Sequence, residues 1–343
     1  KARAPAHNSE TAPVTPCRFQ TGSAAKARLV RGMAKDTTLR GIVLMLLFCM
    51  IAPLLDVASK LASENGIPVG QITTARFLVQ GALMLPVLLA MGITLRLGGR
   101  ALAFTVLRAF FLILSTYSFV SGIAVMPLAD ALAIAFVEPF ILLILGSLIF
   151  GDHVGPRRIA ACAVGFFGAL LVIQPSLAAF GLIALWPLGT AFFFAFYMLV
   201  TRSISSYMHP VAMQFHTSWT GLLLCLPVMI LADGSGIAAL DPVWPAGLNW
   251  LWLFGVGFWA AVSHMAMTYA LKYAPSATLA PLHYSEIVQS VLLGYLIFHD
   301  FPNAMTWVGI AVIVSSGLYI IHRERMVARQ KAHPATDGLT EAP

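Results

Sequence analysis

The chain has 343 residues, of which 59% are hydrophobic and only 10% are charged, and its mean hydropathy is +0.84. Because a soluble domain carries about 25% charged residues, this composition excludes an ordinary soluble protein and predicts lipid as the solvent. The net charge of +7 does not indicate nucleic-acid binding, since nearly all Lys and Arg lie in the chain ends and in short connections, without a basic patch interleaved with aromatic residues.

The chain begins with a polar segment, residues 1–38, that mixes Pro, Ala, Ser and Thr with Lys and Arg. It lacks the apolar stretch that is typical of a signal peptide. Its composition predicts a disordered basic tail. A shorter tail of the same kind is predicted for residues 322–343.

Between these tails, long apolar runs follow one another with few interruptions. Each run has about 17–24 residues, enough to span a bilayer as an α-helix. The runs are continuous, whereas β-barrel strands would alternate polar and apolar residues. The sequence therefore predicts an all-α polytopic membrane protein with ten transmembrane helices. They are predicted at 40–61, 69–91, 101–123, 127–150, 157–174, 180–201, 210–232, 248–271, 276–298 and 304–321.

The charges in the connections predict the orientation of these helices. With ten helices both chain ends lie on one side, and both ends are basic. The same side receives most of the other cations, and the opposite side receives most of the acids. Since Lys and Arg concentrate in cytoplasmic loops, both termini are predicted in the cytoplasm, with the helices in the bacterial inner membrane. The cations are Arg96, Arg100, Arg157, Arg158, Arg202 and Lys272, and the acids are Glu64, Asp130, Asp233, Asp241 and Asp300.

An internal repeat divides the helical region into two halves, 39–175 and 176–321. The segment that starts at Glu138 reads EPFILLILGSLIFGD, and the one that starts at Glu286 reads EIVQSVLLGYLIFHD. The Glu, a Gly, the Leu-Ile-Phe triplet and the final Asp (Asp152 and Asp300) recur in register. Each half holds five predicted helices, an odd number, so the second half crosses the membrane in the opposite sense. Inverted repeats of this kind build secondary transporters.

The cysteines predict neither a disulfide framework nor a metal site, because they are widely spaced and three of them lie in apolar runs. They are Cys17, Cys49, Cys162 and Cys225. We expect no metal and no cofactor.

The sequence resembles the EamA-type members of the drug/metabolite transporter superfamily over about residues 39–321. The small-residue end of the fourth helix and the Gly-rich fifth helix carry this resemblance, and so do their counterparts in the second half. Asp152 and Asp300 stand where Glu is commoner in the family. The resemblance implies ten helices, transport of metabolites or drugs, and no covalent cofactor. The family-like segments are 146–152, 156–158, 165–168, 56–60, 76–77, 126–131, Pro281 with Tyr284, 294–302, Gly309 and 315–317.

Ionisable residues inside the apolar runs are candidates for solute binding, because each costs about 2.5–3.5 kcal/mol to insert unless it faces a cavity or a partner. Glu138 and Glu286 hold equivalent positions near the middle of helices four and nine, each close to a proline. Two interpretations stay open for them: proton coupling or binding of a solute amine, and hydrogen bonding between helices. Asp56 is expected to line a cavity, whereas Lys60, one turn later, either pairs with Asp56 or extends its amine to the membrane surface.

The arginines, histidines and aromatic residues of these runs complete the candidate set. Arg76 is predicted either to contact the solute or to bridge to an acid, and Arg108 to extend towards the membrane surface. Aromatic and histidine side chains can stack on or bond a planar solute, although helix packing and interfacial anchoring are equally consistent with their positions. These candidates are Tyr197, Trp219, His264, His283 and Tyr284.

Together these patterns predict a secondary transporter of a small polar or zwitterionic metabolite: an amino acid, nucleobase, vitamin or S-adenosylmethionine-like solute. Its partners are then that solute, membrane lipid and, as a coupling ion, the proton. No phosphate-binding loop indicates drive by ATP. The alternatives are an intramembrane enzyme, which lacks a visible nucleophile–base or HExxH set, and a membrane scaffold. The oligomeric state has no signature in the sequence.

Overall fold

A computed structural model describes residues 21–94, 96–126, 128–151, 155–173, 181–298 and 304–330. Throughout these ranges the regular structure is helical, without strands. Short 3-10 turns precede α7 (181–184) and α11 (280–285). The helices are α1 (Thr21–Glu64), α2 (Val69–Ala90), α3 (Gly99–Val125), α4 (Leu128–Ala135), α5 (Glu138–Phe150), α6 (Pro156–Ile173), α7 (Leu185–Ile204), α8 (Pro210–Ala232), α9 (Asn249–Tyr273), α10 (Ser276–Leu279), α11 (Glu286–Phe298) and α12 (Ala304–Gln330).

Among the described residues, six helical segments are long and apolar enough to cross a bilayer. They are 37–64, 69–90, 99–125, 181–204, 210–232 and 249–273. Shorter apolar helices lie at 138–150, 159–168 and 307–319, inside three of the other predicted spans. The chain is thus an all-α polytopic membrane protein. Large apolar side chains such as Leu148 and Leu231, which are 75% and 85% exposed, form a surface suited to lipid.

Two of the predicted spans are broken, and both breaks precede the repeated glutamates. The span predicted at 127–150 consists of α4 and α5 with an interruption at 136–137, and Glu138 begins α5. The span predicted at 276–298 consists of α10, a 3-10 turn and α11, which begins at Glu286. Pro139 and Pro281 lie at these breaks, and proline cannot donate a helical backbone hydrogen bond. The glutamates therefore start half-helices and do not lie inside continuous ones.

The chain-terminal helices are longer than predicted. Helix α1 begins at Thr21 and α12 runs to Gln330, so both extend into the segments predicted as tails. The added segments contain Ala, Lys and Arg and no proline, a composition that favours helix. Asp152 and Asp300, which close the repeated motif, and Cys17 lie outside the described residues.

The helices pack in pairs that correspond between the two halves of the chain. Helix α1 packs mainly on α9, and α3 packs mainly on α7. The first and third predicted spans are α1 and α3 in the first half and α7 and α9 in the second half. Replacing each of these helices by its counterpart, α1 by α7 and α3 by α9 and the reverse, turns the pair α1–α9 into the pair α7–α3. Helix α2 packs on α8 and α6 on α12, and each of these pairs maps onto itself. This pattern is the one expected if the two halves are related by an approximate twofold axis.

Close packing of α2 against α9 depends on Gly257. A methyl group there would overlap Val79 Cβ and lie 3.1 Å from the Arg76 carbonyl oxygen. Two residues earlier, the nearest atom to a methyl group at Gly255 would be Ala58 Cβ at 3.5 Å, an ordinary contact.

We therefore expect Gly257→Ala to destabilise the protein by about 1–3 kcal/mol. Gly255→Ala is the matched control, because it brings the same gain in helix propensity without overlap. Thermal unfolding of the detergent-solubilised variants measures the difference. Equal melting temperatures for the two variants would contradict the close packing of α2 on α9.

Candidate functional site

A cavity of about 750 Å³, including its open mouth, lies between the two halves of the chain. The lining extends from mid-helix residues such as Phe48 and His264 to Ser59, Val120 and Thr190. The latter three lie towards the end of the bundle where α1 joins α2 and where α7 begins. The cavity therefore occupies that half of the bundle.

Six of the nine predicted site residues line this cavity, although they come from separate elements. Asp56 lies on α1, Arg76 on α2, His264 on α9 and His283 in the 3-10 turn before α11. The two glutamates of the repeat, Glu138 and Glu286, line it as well, each from the first turn of its half-helix. Side chains from both halves of the chain thus form one polar site.

Glu138 and His283 form a direct contact between the two halves. The distance from Glu138 Oε2 to His283 Nδ1 is 2.6 Å, and both side chains are 5% exposed. This distance is that of a strong hydrogen bond, which becomes an ion pair when the imidazole is protonated. The pair joins the two breaks in the helices, so a change in its protonation acts where the halves meet.

Arg76 is the cation of the cavity and is nearly fully buried. Its Nη1 donates a hydrogen bond to Thr116 Oγ1, and its Nη2 lies 2.7 Å from His264 Nε2. Thr116 and His264 both line the cavity, on α3 and α9. These two bonds fix the plane of the guanidinium group at the cavity wall.

Three roughly parallel rings form an aromatic wall. The ring of His283 stacks on Phe48 at a centroid distance of 5.2 Å and an interplanar angle of 21°. It also stacks on Phe194 at 5.9 Å and 8°. All three residues line the cavity. A planar solute can bind against such a wall by the same stacking geometry.

Within the described residues, three buried polar atoms of the cavity lining have no hydrogen-bond partner: Arg76 Nε, Glu138 Oε1 and His283 Nε2. Unpaired buried polar atoms are rare in proteins because each costs free energy. Here Arg76 Nε is a hydrogen-bond donor, Glu138 Oε1 is an acceptor, and His283 Nε2 can be either, depending on the tautomer of the ring. The arrangement suits a solute that both accepts and donates hydrogen bonds.

The other three predicted residues lie outside the cavity. Tyr197 is buried behind it, with its hydroxyl 3.0 Å from His264 Nδ1. Tyr284 is buried against α6, where a methyl group at Gly165 would lie 2.5 Å from its ring. Trp219 is half-buried beside Phe215. Tyr197 and Trp219 lie on membrane helices as predicted, whereas Tyr284 lies in the 3-10 turn before α11. The direction of each side chain assigns all three to packing or to the layer behind the site.

One expectation for a basic residue needs correction. Arg108 does not extend to the membrane surface, because it is fully buried and donates to Thr201, Thr217 and Tyr197. For Lys60 the structure favours the second alternative, since its amine pairs at 3.1 Å with Glu64, the half-exposed last residue of α1, and not with Asp56.

Several lining residues carried no recognisable signal in the sequence. Phe48, Ser115 and Thr116 resemble any aromatic or small polar residue of a membrane helix. Phe194 belongs to a run of three phenylalanines, and only the structure distinguishes it from its neighbours.

Comparison with known proteins identifies the family. Residues 39–174 and 181–322 each match the EamA-like transporter family. The chain belongs to the EamA-like transporter family. The resemblance inferred from the sequence motifs is thereby confirmed, and the chain is a membrane protein of a transporter family and not of an enzyme family.

The relatives of this EamA-like protein are transporters of small metabolites. A riboflavin transporter of Vibrio cholerae is 27% identical over 304 residues, which cover 88% of this chain and 99% of that protein. An S-adenosylmethionine uptake transporter of Rickettsia prowazekii is 24% identical over 292 residues, covering 85% and 96%. A solved crystal structure with 20% identity superposes with a TM-score of 0.68 over 85% of this chain and 98% of its own, and it shows the same fold.

Proposed function

We propose that this protein is a secondary transporter of a small, planar heteroaromatic metabolite. The observation that carries the proposal is the cavity itself, where an aromatic wall stands among unpaired buried donor and acceptor atoms. The relatives named for riboflavin and S-adenosylmethionine support it, because both solutes combine a flat heteroaromatic ring system with polar groups.

Alternating access between two inverted five-helix repeats is the proposed mechanism. It is supported by the exchange-symmetric packing of α1 on α9 and α3 on α7, and by helix breaks at equivalent positions of the two halves. In inverted-repeat transporters, broken helices place the solute site near the middle of the bilayer. The distribution of cations puts both termini in the cytoplasm of the cell. The cavity then faces outward, away from the chain ends, with ten helices crossing the bacterial inner membrane.

Proton coupling through Glu138 and His283 is part of this proposal. The pair binds or releases a proton at a contact between the halves, and Asp56 and Glu286 line the same cavity. Carboxylate and histidine side chains inside membrane segments are the usual carriers of protons in transporters.

Counterflow in proteoliposomes tests the transport function. Vesicles loaded with unlabelled riboflavin are expected to accumulate radiolabelled riboflavin transiently, and parallel vesicles use S-adenosylmethionine. Exchange of either solute above protein-free vesicles supports a transporter of this class. If neither solute exchanges and neither raises the melting temperature of the purified protein by mass action, the proposed solute class is wrong.

The aromatic wall leads to a separate prediction. Phe48→Leu should raise the half-saturating concentration for the transported solute by about 3–10-fold, because loss of aromatic stacking removes about 0.5–1.5 kcal/mol. Phe254→Leu is the matched control, since Phe254 stacks on Phe258 at 22° but is 48% exposed on the outside of α9. Equal half-saturating concentrations in the two variants would exclude stacking of the solute on this wall.

A further inference from the structure

A series of hydrogen bonds leads from the cavity into the part of the helix bundle that lies away from the cavity mouth. Arg76 contacts His264, His264 Nδ1 lies 3.0 Å from the Tyr197 hydroxyl, and Arg108 Nη2 lies 2.7 Å from the same hydroxyl. Arg76 and His264 line the cavity, whereas Tyr197 and Arg108 do not. All four side chains are nearly or fully buried. These hydrogen bonds connect α2 and α3, in the first half of the sequence, with α7 and α9, in the second half.

The direction of each hydrogen bond follows from the chemistry of its ends. A guanidinium group can only donate, so His264 Nε2 must accept from Arg76. A neutral His264 then carries its proton on Nδ1 and donates it to the Tyr197 oxygen. Arg108 donates to that oxygen as well. The two arginines thus fix which nitrogen of His264 carries the proton, and Tyr197 fixes the orientation of the ring.

Arg108 is itself held by several hydrogen bonds, and in the part of the chain that the structure describes its hydrogen-bond partners are all neutral groups. Its Nε donates to Thr201 Oγ1 at 2.7 Å, and its Nη1 donates to Thr217 Oγ1 at 2.6 Å. The guanidinium also lies over the ring of Tyr197, 4.5 Å from its centroid. Burying a cation among neutral partners costs free energy. A role of Arg108 beyond packing explains why the protein keeps an arginine at this position.

We propose that Arg108 and Tyr197 are positioning residues for solute binding, and that they act through His264 on Arg76. This inference deepens the proposed function, on which it rests. Arg108 holds Tyr197, Tyr197 holds His264 in one tautomer and orientation, and His264 together with Thr116 holds Arg76. The unpaired Nε of Arg76 is thereby kept in place for an acceptor atom of the solute.

A double-mutant cycle tests this path by equilibrium binding of riboflavin to the purified, full-length protein. Tyr197→Phe is expected to weaken binding about tenfold, the scale of one hydrogen bond to a charged network. In the His264→Leu background, the same replacement should have less than about a twofold further effect, because the path is already interrupted. If the two replacements reduce affinity independently and multiply, Tyr197 does not act through His264. Tyr273→Phe removes a hydroxyl near the end of α9 and is the control.

A spectroscopic measurement tests the path without any solute. In protein labelled with ¹⁵N-histidine, the signal of His264, assigned by its loss in His264→Leu, should show a neutral ring with the proton on Nδ1. In Arg108→Gln the Tyr197 oxygen loses the cation that donates to it. The Tyr197 hydroxyl can then donate to His264 Nδ1 in competition with the Arg76 donor at Nε2, so a mixture of tautomers is expected. Arg108→Lys should restore the Nδ1 form in part. If the Nδ1 tautomer is present and depends on Arg108 while riboflavin fails to bind, the proposed solute class is rejected. That result would leave the role of Arg108 and Tyr197 in positioning His264 intact. An unchanged tautomer in Arg108→Gln would overturn the inference.

Discussion

Arg76→Lys is expected to lower the transport efficiency, kcat/KM, on the order of 100-fold in the counterflow assay. Arg76 uses two different nitrogens to bind Thr116 and His264, and its third nitrogen, Nε, is buried without a hydrogen-bond partner among the described residues. Lysine keeps the charge but replaces the planar fork with a single ammonium group on a flexible stem. Loss of the hydrogen bond that Nε can donate to the solute, and of the orientation that Thr116 and His264 give the guanidinium group, corresponds to about 3 kcal/mol, which is about two powers of ten.

The control for this replacement is Arg100→Lys. Arg100 is exposed at the beginning of α3, with its guanidinium 5.9 Å from the ring of Phe104. The same chemical change there should leave transport near the wild-type rate. If Arg76→Lys also retains wild-type transport, Arg76 does not bind the solute through its guanidinium fork. Thermal unfolding of the solubilised variants separates a loss of binding from a loss of fold.

Glu138→Gln is expected to abolish accumulation of solute driven by a pH gradient while leaving solute exchange measurable. The amide keeps the shape of the side chain and can still accept a hydrogen bond from His283, but it cannot take up a proton at this contact between the halves. Solute exchange without a pH gradient requires only that the solute-loaded site alternates between the two sides of the membrane. Accumulation driven by the pH gradient also requires the protein to bind and release a proton.

Glu64→Gln provides the matched change outside the cavity. Glu64 has a half-exposed side chain and pairs with Lys60 at 3.1 Å, and exposed pairs of this kind contribute little. Both accumulation and exchange should persist in this variant. Accumulation by Glu138→Gln that still responds to the pH gradient would show that the proton binds elsewhere, with Asp56 and Glu286 as the next carboxylates to replace.

The helical architecture could be predicted from the sequence because lipid imposes a simple rule. Every backbone polar group must be satisfied within its own segment, so long apolar runs identify helices without knowledge of their neighbours. The repeated Glu, Gly and Asp residues likewise indicate two related halves. The breaks before Glu138 and Glu286 were missed, since proline is tolerated in membrane helices and the sequence alone does not show where a helix is interrupted.

The candidate site was predicted only in part. The cost of a charge in lipid singled out Asp56, Arg76, Glu138 and Glu286 as candidates, and all four line the cavity. Their part in solute binding or coupling stays a prediction. For Arg108 the same argument led to the wrong expectation, because a long side chain one helical turn or two from the membrane edge can either reach the surface or turn inward. Its inward direction depends on hydroxyl groups of Thr201 and Thr217 that lie about a hundred residues away in the sequence.

The sequence by itself determined the solvent of this protein, its all-helical character and its family, because these depend on composition and on short patterns within one segment; the inverted repeat stays a prediction. Only the tertiary structure decided which side chains meet. The pairing of Glu138 with His283 and the wall of Phe48, His283 and Phe194 join residues separated by 89 to 235 positions. Such contacts depend on how helices pack and on the rotation of each helix about its axis, and uniformly apolar helices carry little information about either.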